Sequence, residues 1–228
     1  MFLDTDGRPL TLTWHYTRRE IMADGVIHCL GVALGLTGAV ALVVTAAMTH
    51  LGWEARASVA IYAAAMVSML AVSAIYNLHP VSPRKWLLRR ADHALIYLMI
   101  AATYTPLVAL VGTGPMAAAL LAFIWIVAGI GIAVKLFLPG RFDRLSIGLY
   151  LLLGWSGIFA YESVIAALQP TALWLLALGG VLYSVGVVFH VWRTLPFQNA
   201  IWHGFVLVAT ACHYGTIYAS LPSLTGAA

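Results

Sequence analysis

Between residues 22 and 219 the sequence passes through seven long apolar stretches, read as 22–48, 57–79, 90–112, 115–137, 144–167, 171–192 and 198–219. A helix needs about 20 mainly apolar residues to cross the hydrocarbon core of a bilayer. Each stretch is therefore long enough to span. Only 9% of the residues are charged and 62% are hydrophobic, against roughly 25% charged in a soluble domain. So little charge cannot furnish a water-facing surface, and the apolar atoms must face lipid. The expected fold is an all-α integral membrane bundle of seven transmembrane helices. It divides into a cytoplasmic N-terminal segment (1–20), a transmembrane domain (21–220) and a short tail outside the cell (221–228).

Proline punctuates this division. Pro80, Pro83, Pro115, Pro139, Pro170, Pro196 and Pro222 fall at predicted ends, where the missing N–H costs least. Only Pro106 lies inside a span, where it should kink the third helix and free the carbonyl of Ala102. Gly31 and Gly35 form a GxxxG in the first span and predict close helix contact. The segment before residue 21 has no secretory apolar region, and the first apolar run is too long for a signal peptide, so it should be retained.

Orientation follows from the loops. Arg8, Arg18, Arg19, Arg84, Lys85, Arg89, Arg90, Lys135, Arg141, Arg144 and Arg193 fall on one side, leaving only Arg56 on the other. Basic residues accumulate on the cytoplasmic side, so the N-terminus is expected inside and the C-terminus outside. The formal net charge of +4 thus reads as a topology and anionic-lipid signal rather than a nucleic-acid one. Cell-membrane lipids are the expected partners, and the oligomeric state is left open. Cys29 and Cys212 sit within apolar runs and read as small packing residues. Trp14, Trp53, Trp86, Trp174 and Trp192 read as an interfacial belt, and His15 and His50 as loop surface.

The polar residues within the spans carry the functional signal. With a rise of about 1.5 Å per residue, position along a span gives depth. Asp24 and His28 in the first span, Ser73 and Asn77 in the second, Asp92 and His93 in the third, His190 in the sixth, and Asn199 and His203 in the seventh all fall near cytoplasmic helix ends. Asp24 and His28, Ser73 and Asn77, and Asn199 and His203 are spaced i,i+4, which puts each pair on one helix face. Ionisable groups in lipid are costly and turn toward one another. The expectation is a polar ligand-binding cavity in the inner leaflet formed by Asp24, His28, Ser73, Asn77, Asp92, His93, Asn199 and His203; the alternative is a fringe of polar groups at the headgroups. His213 lies deeper, ten residues beyond His203, within reach of Thr or Tyr hydroxyls.

The segments SAIYNLHP (73–80), RRADHALIYLMIAATYTP (89–106), RLSIGLYLLLGW (144–155) and NAIWHGFVLVATACHY (199–214) resemble the hemolysin III family, part of the progestin and adipoQ receptor superfamily. The resemblance runs in order from Glu20 over nearly the whole chain. It implies seven helices with the N-terminus inside. It also implies zinc held by three histidines, one ending an S-x-x-x-H motif and two in an H-x-x-x-H motif, with an aspartate supporting a zinc-bound water. Here Ser73, Asp92 and His203 match, but the other two ligand positions are Asn77 and Asn199. A neutral amide oxygen is a poor substitute for imidazole at zinc. His79 lies two residues beyond Asn77, on another face of the helix unless it unwinds.

Three functions stay open. One is binding of a lipid or small molecule in the polar cavity, in membrane or metabolic homeostasis or signalling. Another, implied by the resemblance, is zinc-dependent hydrolysis of lipid amides, with Asp92 as base or water-orienting group, Ser73 at the oxyanion, and His203 and Asp92 at the metal beside Asn77 and Asn199. The last is pore formation or ion transport, although no span shows a continuous polar stripe. Retinal chemistry is excluded, because a Schiff base in the last helix needs a lysine and the only lysines are Lys85 and Lys135.

Overall fold

The structure, a computed structural model, describes residues 16–111 and 114–224. Arg8, Trp14 and His15, with most of the N-terminal segment and residues 225–228 of the tail, lie outside the described residues. The described chain is helical: α1 (Arg18–Met48), α2 (Trp53–Leu78), α3 (Pro83–Val111), α4 (Pro115–Phe137), α5 (Asp143–Trp155), a 3-10 turn (Ser156–Ala160), α6 (Tyr161–Ala167), α7 (Pro170–Val191) and α8 (Gln198–Leu224). Among the described residues, six helical segments are long and apolar enough to cross a membrane: α1, α2, α4, α5 through α6, α7 and α8. The remaining long helix, α3, opens on a charged turn containing Arg84, Lys85, Arg89 and Arg90.

Local chemistry explains the boundaries. α1 begins at Arg18 because Thr17 caps it: its hydroxyl accepts the Glu20 N–H at 3.3 Å, and the Glu20 carboxylate accepts the Thr17 N–H at 2.8 Å. α4 and α7 begin on Pro115 and Pro170, whose missing N–H falls in the unbonded first turn. Pro106 lies inside α3 as expected. Pro222, expected at a helix end, lies inside the last turns of α8.

The helices are inside-out relative to those of a soluble protein. Buried on α1 are Asp24, His28, Gly31, Gly35, Leu42 and Ala46. They are spaced three, four or seven residues apart and so share one stripe. The opposite face exposes Leu34 and Val40. Small and polar residues thus face the bundle and bulky aliphatics face outward, as hydrocarbon solvent requires. The glycines of the GxxxG meet side chains rather than backbone. Gly31 packs against Leu207 and Leu70, and Gly35 against Leu70.

α1 packs between α2 and α8, α2 against α3, α3 against α4, and α7 against α8. α5 and α6 lean on α3 and α7 through a thinner contact, leaving a large interior space beside α3, α7 and α8. The single fifth span expected from sequence is interrupted. Tyr104 of α3 stabilises the interruption: its hydroxyl donates to the Gly154 carbonyl at 2.9 Å and accepts the Gly157 N–H at 2.8 Å. Ser156 adds a bond to the Leu153 carbonyl at 2.7 Å. The phenol thereby satisfies backbone groups that a broken helix releases.

Gly131 of α4 supplies a sharp test of packing. A Cβ there would lie 2.5–2.6 Å from three ring atoms of Tyr97. Tyr97 is 1% exposed, and its ring is held 4.5 Å from that of Tyr150. Gly131→Ala is expected to cost about 1–3 kcal/mol by overpacking, seen as a lowered thermal midpoint in detergent. Gly129→Ala on the same helix, with nothing within 4 Å of its added Cβ, should leave the midpoint unchanged or raise it.

Two smaller expectations are corrected. Trp86 is not an interfacial residue. It is 2% exposed and lies beneath the guanidinium groups of Arg89 and Arg90, at 5.4 and 5.9 Å; two cations over one indole favour burial of the ring. Cys212 is buried but Cys29 is exposed, because it occupies the outer face of α1. Trp53, Trp174 and Trp192 are exposed at helix ends, and His50 is an exposed turn residue.

Candidate functional site

The polar residues of α1, α2 and α8 meet in a buried network centred on Asp24. The Asp24 side chain is almost wholly buried, and its Oδ1 accepts a short hydrogen bond from Nδ1 of His203 at 2.6 Å. Its Oδ2 accepts a longer one from Nδ2 of Asn199 at 3.4 Å and lies 3.6 Å from Nε2 of His28. The rings of His28 and His203 stand 4.4 Å apart, tilted. The i,i+4 spacing on each helix is what brings the members together: a single face of α1 presents Asp24 and His28, and a single face of α8 presents Asn199 and His203.

The network continues into α2. Nδ2 of Asn199 also donates to Oδ1 of Asn77 at 3.0 Å. Nδ2 of Asn77 donates in turn to the Ser73 carbonyl at 2.9 Å and its hydroxyl at 3.4 Å. α2 stops at Leu78, and the freed carbonyls of Asn77 and His79 accept from the Lys85 ammonium at 3.0 and 2.8 Å. A lysine here serves as a helix C-cap.

Asp92 and His93 of α3 stand at the edge of this network. Asp92 borders a cavity of about 60 Å³ together with His28, Ser73 and His203. Its Oδ2 lies 3.4 Å from Nδ1 of His93, outside hydrogen-bond geometry. His93 turns toward a second, much larger cavity of about 1450 Å³. That space is also lined by His190, Asn199 and His203 at its polar end, and by Met99, Ile100, Leu176, Val206 and other apolar side chains along its length. The His190 ring stands 4.8 Å from that of Trp202, tilted against it, and takes no part in the Asp24 network. His213, deeper in the bundle, lies against Gly179. Its ring is 5.5 Å from that of Tyr183, whose hydroxyl shares a 2.7 Å hydrogen bond with Thr210.

The positions that the resemblance assigns to zinc do not fit the ion. Asn77 and Asn199 offer only neutral amides, and those amides are hydrogen-bonded to each other. His203 is directed to Asp24 rather than to Asp92.

Several contributors escaped sequence reasoning. Asp143 bridges two cations, accepting from Arg89 at 2.8 Å and from Lys135 at 2.7 Å. Lys135 is 3% and Arg89 7% exposed, so both are structural cations and not free loop charges. The signal was present: Lys135 interrupts an otherwise apolar run, and such a residue in a span usually has a partner. Glu20, besides capping α1, accepts the Phe197 N–H at 2.9 Å. This fastens the start of α1 to the turn before α8, where Phe197 adopts a left-handed backbone with φ 58°.

In sequence the chain is similar to known proteins. The model of the "Haemolysin-III related" family matches residues 16–214. The chain is 36% identical over 201 residues to a hemolysin-3 homolog of Bacillus subtilis, covering 87% of this chain and 93% of the relative. It is 36% identical over 194 residues to hemolysin-3 of Bacillus cereus, covering 85% and 88%. The human monocyte to macrophage differentiation factor is 33% identical over 175 residues, covering 73% of this chain and 71% of that protein.

Proposed function

The chain belongs to the haemolysin-III related family, a multi-pass cell-membrane protein in contact with lipid, and we propose that it binds an amphipathic lipid or small molecule inside the bundle. In this reading α3 is the seventh span, the N-terminus is cytoplasmic and the C-terminus is outside. The bound molecule serves membrane or metabolic homeostasis or signalling.

One observation carries the reading: a partly open cavity of about 1450 Å³ is lined mainly by apolar side chains, with its charged groups near the starts of α1, α3 and α5 and the ends of α4 and α7. Pockets for small molecules occupy roughly 300–1,000 Å³ and are mostly apolar with a few directing polar groups. This one is larger and elongated, in keeping with a ligand that has a tail. Its polar end is lined by both signs, Lys85, Arg89, Lys135, Arg144 and Arg193 with Glu20, Asp92 and Asp143. With Arg89 and Lys135 already paired to Asp143, this favours a polar head and not a specifically anionic one. The apolar wall of α7 and α8 would receive the tail. The hydrolytic alternative, in the form the resemblance implies, requires metal ligands that Asn77 and Asn199 do not supply. The proposed orientation rests on the basic residues clustered at one end of the bundle.

A displacement assay with a fluorescent fatty-acid analogue, on protein purified in detergent, tests the reading. Ala177 lines the cavity from α7, so Ala177→Trp should weaken binding at least tenfold, about 1.4 kcal/mol. Val40→Trp, on the outer face of α1, should leave it unchanged. Equal affinity in both variants would move the amphiphile out of the bundle and onto the lipid-facing surface.

A further inference from the structure

We propose that Asp24, His28 and His203 form a binding site for a divalent transition-metal ion, with one carboxylate and two imidazoles as ligands. This ligand set is shifted from α2 and α8 to α1 and α8 relative to the one the family resemblance implies. It stands independently of whether the large cavity binds an amphiphile.

Four features converge. First, the ligand-capable atoms of the three residues all lie within 4.8 Å of one another, and all three residues are buried. Tetrahedral zinc with bonds near 2.0–2.1 Å places its ligands roughly 3.3 Å apart. The 3.6 Å between His28 Nε2 and Asp24 Oδ2 already approaches that spacing, and the 2.6 Å contact of His203 Nδ1 with Asp24 Oδ1 would open by under about 1 Å as the ion replaces the shared proton. Second, Nε2 of His28 is buried and has no hydrogen-bond partner, on a residue 5% exposed. A buried polar atom left unpaired is costly, and here it points at a carboxylate just beyond bonding range, where an ion would satisfy both. Third, two imidazoles and one carboxylate are the donor set of open zinc sites, which keep a fourth position for water. The neighbouring cavity of about 60 Å³, bordered by His28, His203, Ser73 and Asp92, has room for such a water, whose share of liquid volume is about 30 Å³. Fourth, Asp92 brings a second carboxylate to that cavity. Two carboxylates in a hydrocarbon setting match the charge of a divalent ion.

The outer contacts suit the assignment as well. Asn199 donates to Asp24 at 3.4 Å and is itself held by Asn77 at 3.0 Å. The two amides at the displaced positions therefore become supports for the carboxylate and are not ligands. Partners of this kind orient metal ligands and typically modulate affinity by about 10–100-fold.

The test uses the full chain in detergent, stripped with chelator and titrated with Co²⁺, then with Zn²⁺ in competition. Expected are one equivalent of bound metal and the visible d–d bands of a tetrahedral Co²⁺ site. X-ray absorption of the zinc-loaded protein should resolve two imidazoles and oxygen donors. His28→Gln should weaken binding by more than about 100-fold, beyond what an outer-shell partner costs. Asn77→Ala, which reaches the carboxylate only through Asn199, should stay within the about 10–100-fold of an outer support. Circular dichroism and the elution profile establish that each variant is folded. If His28→Gln fails to fold, the imidazole count in the wild-type absorption spectrum decides alone. Substoichiometric metal, a single imidazole, or retention of metal by folded His28→Gln each overturns the site.

Discussion

Replacing Asp24 by alanine, measured on metal-free protein, should lower unfolding stability in detergent by about 3 kcal/mol, the range seen when one member of a buried pair is deleted. The carboxylate is the only group joining the polar residues of α1 to both His203 and Asn199 in the described hydrogen bonds. Its removal strands Nδ1 of His203 in the bundle, next to a His28 nitrogen that already lacks a partner. Each buried group left without a bond costs about 1–3 kcal/mol, so the loss should exceed that of an ordinary polar deletion. Asp24→Asn keeps an acceptor of the same shape for His203. It should cost only about 1 kcal/mol, the usual worth of one hydrogen bond. Denaturant-driven unfolding followed by tryptophan fluorescence distinguishes the two. If alanine proves as benign as asparagine, α1 and α8 are not joined through this carboxylate.

Asp143→Ala should be comparably damaging, by about 3 kcal/mol, for a different reason. Asp143 is the shared anion of Arg89 and Lys135, two cations that are nearly inaccessible to water. Deleting it leaves like charges facing each other without a counter-ion. Lys135→Met, by contrast, leaves Asp143 and Arg89 in one-to-one pairing and replaces the lysine stem with an apolar chain of similar length, so it should be mild. The double variant then becomes the informative measurement. With Lys135 gone, deletion of Asp143 strands one cation instead of two. The combined loss should be smaller than the sum of the single losses by about 1 kcal/mol or more, as interacting groups show in double-mutant cycles. Strict additivity would mean that Asp143 acts on Arg89 alone.

How far the sequence can be read depends on which coordinate is asked for. Length and apolarity mark spans because a bilayer imposes one scale on all of them, and six of the apolar stretches coincide with helices of sufficient length. Counting residues from the helix ends gives height. That is why Asp24, Asn77, Asn199 and His203 group from the sequence alone, and they hydrogen-bond one another in the structure. Height does not give azimuth. Nothing in the spacing decides whether His203 turns to Asp24 or to Asp92, since both sit on neighbouring helices at similar depth; the rotation of α8 against α1 decides it. Lys135, interrupting an apolar run, signals that it needs a partner, but Asp143 falls outside every predicted span, so the spacing does not name that partner. The break after Trp155 was hidden for a related reason. The group that stabilises it, the side chain of Tyr104, lies fifty residues earlier in the chain.

That phenol has a mechanical consequence. By gripping the backbone on both sides of the bend, Tyr104 works as a strut whose length sets the gap between one wall of the bundle and the wall opposite. Tyr104 also receives a 3.3 Å hydrogen bond from Ser156 Oγ and lines the large cavity, so on the proposed reading the width that an amphiphile would meet there follows the position of this one ring.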